Sequence, residues 1–107
     1  MPPQNEPHAL AITLTDYALR PVFAHGFTIR IQLPLHLSDR SEPEPDIAVV
    51  TGSPRDYRTG HPATAALVIE VSDATLDFDR RTKLPLYAAA NVPEYWIVNV
   101  ADRRLEV

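Results

Sequence analysis

A chain of 107 residues, 45% hydrophobic and 22% charged, is long enough for one small domain around one core. It has no cysteine, which excludes disulfides, thiolate metal centres, iron–sulfur clusters and a thiol nucleophile. Its net charge of −4 gives no overall pull towards nucleic acid, so a DNA-binding role needs locally clustered cations, with divalent metal offsetting the acids.

Residues 1–7, MPPQNEP, read as a loose tail. Over 8–22, Leu10, Leu14, Tyr17 and Ala18 fall at helical spacing, and Pro21 and Gly26 close that helix. Residues 27–37, FTIRIQLPLHL, alternate Phe27, Ile29, Ile31 and Leu33 with polar partners. That is a half-buried strand, with Pro34 marking an edge or a bulge. Residues 38–46 form a turn or loop, and DIAVV at 46–50 is a short buried strand. Two glycines and two prolines make 51–64 a loop. ALVIEV at 66–71 is β-rich. Residues 77–91 suit a helix, in which Pro85 must cause a kink or delay the regular start. Strands follow at 94–100 and 103–107. The order is αβββαβ plus one strand: an α/β domain with a mixed central sheet flanked by helices.

Much familiar chemistry is missing. Three glycines cannot build a phosphate-cradling loop, and there is no Gly-x-Ser-x-Gly elbow. His8, His25, His36 and His61 lie in separate segments without metal-ligand spacing, and read as surface or loop residues. No aromatic-basic stripe suggests a single-strand platform. The apolar runs fall short of a membrane span, and no leader pattern precedes the domain, so the expectation is a cytoplasmic protein without membrane contact.

Two carboxylates remain. Asp46 starts one strand after a proline, and Glu70 lies inside another between Ile69 and Val71. Adjacent strands run roughly 5 Å apart. Two acids on one face can therefore share a hard cation such as Mg²⁺, with a carbonyl near Val71 as a further oxygen ligand. The competing possibility is an outward-facing Glu70, since its face also carries apolar Val68 and polar Ser72. On the helix, Asp79, Lys83, Leu86, Tyr87 and Ala90 share a side that should face the sheet. Lys83 either reaches a site or snorkels out to an exposed pair with Asp79, worth roughly 0.3–0.5 kcal/mol. Arg80 and Arg81 can meet phosphates, although a solvated face is the commoner fate.

Pro45-Asp46, Glu70-Val71-Ser72, Asp79, Lys83, Tyr87 and Glu94-Tyr95-Trp96-Ile97-Val98, in this order, resemble the Uma-type restriction endonuclease family of the PD-(D/E)xK superfamily. The resemblance covers residues 8–107. It implies the αβββαβ core as a single domain, short at both ends relative to family members. It also implies an endonuclease that hydrolyses DNA with Mg²⁺ or Mn²⁺, and it allows a homodimer. Asp46 and Glu70 would be the metal-binding and catalytic acids. Most of the superfamily carries a lysine two residues after the second acid, where this chain has Ser72. The resemblance moves that lysine to the helix, at Lys83. The rivals are a catalytically silent scaffold or binding module of the same fold, and a small acidic interaction protein.

Overall fold

A computed structural model describes residues 6–72, 83–100 and 104–107. Helix α1 (Glu6–Leu19) precedes strands β1 (Phe27–Ile31), β2 (Ile47–Thr51) and β3 (Leu67–Ser72). Helix α2 (Leu84–Ala89) then leads to β4 (Tyr95–Asn99) and β5 (Arg104–Glu106). The five strands form one sheet in chain order, β1-β2-β3-β4-β5. All neighbours are antiparallel except β3 and β4, which run parallel. A parallel pair needs a crossover, and the segment containing α2 supplies it. This is the expected mixed α/β architecture.

β3 lies at the centre of the sheet and is buried at every position. Its side chains alternate between faces. Leu67, Ile69 and Val71 join Ile47, Val49, Ile12 and Leu19 beneath α1. Val68 joins Ala48, Val50, Leu35 and Tyr87 on the α2 side. Pro85 sits in the first turn of α2. Asn91, at φ 61°, terminates the helix in the left-handed conformation, and the Val92 amide donates to the Tyr87 carbonyl. Residues 77–82 lie outside the described residues, as do the expectations for Asp79, Arg80 and Arg81.

Two elements depart from the sequence reading. Leu10, Leu14 and Tyr17, the stripe that signals α1, point to solvent, and α1 packs through Ile12 and Leu19. β1 stops at Ile31, well short of residue 37. Gln32 takes a left-handed φ of 53°, and Pro34 can donate no ladder bond. The chain from 33 onward folds onto its own continuation instead. Leu35 donates to the Pro43 carbonyl and Leu37 to that of Ser41. Among the described residues, no helix is long and apolar enough to cross a membrane.

Candidate active site

The strand register brings Asp46 and Glu70 together. Ile47 pairs with Ile69, so Asp46 faces Glu70 one step beyond, at the end of the β2–β3 ladder. There the two residues clasp each other's backbone. The Asp46 amide donates to Glu70 Oε1 at 2.9 Å, and the Val71 amide donates to Asp46 Oδ2 at 2.7 Å. Each carboxylate thus accepts an amide from the opposite strand at a point where ladder pairing has ended, and neither acid can swing away without orphaning a donor.

Glu70 is 2% exposed and faces α2, not solvent. The Lys83 ammonium, at the start of α2, donates to Glu70 Oε2. Tyr87 turns the helix inward by burying its ring against Tyr95, with centroids 5.3 Å apart. That orientation carries Lys83 over the sheet, as the stripe reading required. Lys83 keeps 30% of its side chain exposed, so the ion pair opens to solvent on the lysine side only. Burial drives the Glu70 carboxyl up to about 7, against the opposing pull of Lys83. Asp46 adds a smaller upward push as a neighbouring negative charge.

The donor set suits a hard divalent ion. Mg²⁺ takes one or two carboxylates and completes its shell with water and phosphate oxygens. Asp46 and Glu70 supply two carboxylates, and no cluster of three or more acidic or imidazole ligands occurs among the described residues. Ser72 is on the Glu70 face, two residues along, fully buried, and its Oγ has no hydrogen-bond partner. Val71 contributes its amide to the clasp.

One nearby residue escaped the sequence reading. His8, read as a surface or loop residue, sits in the first turn of α1 with Nε2 3.5 Å from Asp46 Oδ1. Asp46 is therefore flanked by the Val71 amide and an imidazole. Nothing in the spacing of the four histidines could signal this, because packing α1 on the sheet creates the contact.

The Uma2 family, described as "Putative restriction endonuclease", matches residues 1–107 by its sequence profile. The chain belongs to the Uma2 family. No curated protein matches it. Among solved structures, a putative nuclease belonging to DUF820 from Anabaena variabilis superposes with a TM-score of 0.63 at 17% identity. The alignment covers 92% of this Uma2 chain and 59% of the other, so this chain spans less than two thirds of that protein's length. At that identity the likeness shows the fold alone, shared with that putative nuclease.

Proposed function

We propose that this Uma2 chain is a metal-dependent endonuclease that hydrolyses DNA phosphodiester bonds. The observation that carries the reading is the meeting of Asp46, Glu70 and Lys83 at one sheet end, contributed by two strands and a helix. Burying an acid costs stability, and a chain that needed only a core would place an apolar residue at 70.

In this reading Asp46 and Glu70 hold Mg²⁺ or Mn²⁺, with the Val71 carbonyl as a further oxygen. When bound, such an ion polarises the scissile phosphate and lowers the pKa of an attacking water. The protein's own residues do the rest. The amides of Asp46 and Val71 fix the two carboxylates before substrate arrives, so no reorganisation is needed. Lys83 keeps a positive charge against Glu70 and orients the water or meets the negative charge that develops on the phosphate. Ser72 cannot replace it, because a hydroxyl carries no charge.

Lys83→Ala tests the assignment. Folded variant protein should bind Mn²⁺ and fail to nick supercoiled plasmid. Nicking at the wild-type rate removes Lys83 from catalysis. A folded wild-type chain that never nicks supports the silent-scaffold alternative.

A further inference from the structure

The face that carries Glu70 holds a second buried charge. Arg30, in β1, pairs in register with Ala48. Ala48 pairs in turn with Val68, and Glu70 lies two residues further along β3, so Arg30 and Glu70 share one face of the sheet. Arg30 is only 8% exposed. Its Nη2 donates to the Pro34 carbonyl at 3.1 Å and lies 3.2 Å from His61 Nδ1. The guanidinium also sits 5.8 Å from the centre of the Tyr57 ring. Its Nε is buried and has no hydrogen-bond partner. Among the described residues, no carboxylate pairs with Arg30.

A buried arginine is normally matched by an acid, because stripping water from a charge is costly. The chain holds this one in place by other means. The left-handed turn at Gln32 brings the Pro34 carbonyl back onto the strand that precedes it. The left-handed Gly52, at φ +91°, launches the segment that carries Tyr57 and His61, and the Asp56 carboxylate packs where a Cβ at 52 would stand. Arginine has donors only, so in this contact the His61 Nδ1 is the acceptor. Burial lowers the Arg30 pKa, against a smaller opposing pull from Tyr57. A clamp holding the 53–61 segment would account for Nη2 alone. It leaves the bare Nε and the missing acid unexplained.

We propose that Arg30, with His61, forms an anion subsite for a phosphate of the nucleic-acid backbone, beside the phosphate that Asp46 and Glu70 address. With Nη2 turned to the Pro34 carbonyl and His61, the Nε–H is the donor left for a phosphate oxygen. His61, which touches the guanidinium, is itself exposed to solvent. A subsite here gives the acidic chain the local cation that its net charge withholds. The inference rests on the nuclease reading for the source of the phosphate, although the subsite itself does not depend on cleavage.

The test has two arms. In the first, the Arg30 Nε–Hε resonance of ¹⁵N-labelled protein, assigned by its loss in Arg30→Lys, is followed while inorganic phosphate and then a short DNA duplex are added. Saturable shifts with both are expected, and no movement with either overturns the subsite. In the second, duplex affinity is measured without divalent metal over a range of salt. The slope of log affinity against log salt should fall by about 1 in Arg30→Gln, one phosphate contact fewer. An unchanged slope in a variant with wild-type circular dichroism overturns the backbone assignment, even if free phosphate binds. If Arg30→Gln does not fold, the first arm on wild-type protein still decides. Plasmid nicking separates this inference from the nuclease reading. Nicking with a silent Arg30 resonance defeats the subsite alone. A responsive resonance without nicking defeats the nuclease reading alone.

Discussion

The two faces of β3 put six consecutive buried residues to opposite uses. Towards α1 the strand presents Leu67, Ile69 and Val71, which pack with Ile12, Leu19, Ile47 and Val49. Towards α2 it presents Val68, Glu70 and Ser72, in line with Arg30 two strands away and Asn99 on β4. The α1 face gains stability from burial alone, at about 25 cal/mol per Å² of apolar surface. The α2 face contains buried polar groups that must be satisfied locally, and among the described residues Ser72 Oγ and Arg30 Nε have no partner. A period of two lets one strand serve as both scaffold and site. The incompletely satisfied face is the one to search for chemistry.

The contrast yields a graded set of expectations. Ile69→Ala, on the α1 face, should cost about 2–5 kcal/mol and lower the melting temperature by roughly 4–8 °C per kcal/mol. Calorimetry should find the Mn²⁺ affinity of its folded fraction unchanged. A loss of metal binding equal to that of a site variant would mean that the faces are not separable.

On the α2 face, Lys83→Ala strands Glu70 without its cation. Removing one partner of a fully buried pair costs about 3–5 kcal/mol. Lys83 is 30% exposed, so a smaller loss is expected here, together with a Glu70 carboxyl pushed further above 7. Thermal melts and carboxyl ¹³C titration measure both effects. An unshifted Glu70 would mean that Lys83 does not support it.

Glu70 also sets a pH dependence. Its folded pKa of about 7 lies above the ordinary 4.5. Between those values the folded protein holds a proton that the unfolded chain has released. The Glu70 contribution to stability is therefore complete below about pH 4.5 and declines as pH rises towards 7. Glu70→Gln cannot titrate and should flatten that stretch in melts across the range. In wild type, Mn²⁺ affinity should climb up to about pH 7, because metal must displace the proton. The smallest effect belongs to the outer side of α1. Leu14→Gln there should change stability by no more than about 0.5 kcal/mol, since Leu14 is already 57% exposed.

What the sequence made legible follows from where each signal originates. β3 and β4 were readable because central strands are apolar and β-branched along their whole length. Asp46 and Glu70 stood out because acids are rare beside such runs, and Lys83 because it broke an apolar helical stripe. The end of β1 was not readable. A left-handed Gln32 carries no residue signature, and alternation continued past it to Leu33. The α1 stripe misled because α1 offers two apolar sides, and the sheet took Ile12 and Leu19. His8 at Asp46 and His61 at Arg30 are contacts between segments distant in sequence, so no local pattern encodes them.

Mn²⁺ calorimetry on wild type and Asp46→Ala at about pH 8, where Glu70 is ionised, tests the central claim most directly. Asp46 and Glu70 are each held by an amide from the other's strand, and in the proposed reading they share one metal ion. The account predicts saturable binding at one site in wild type and none in folded Asp46→Ala. Equal affinity in the two proteins would contradict it.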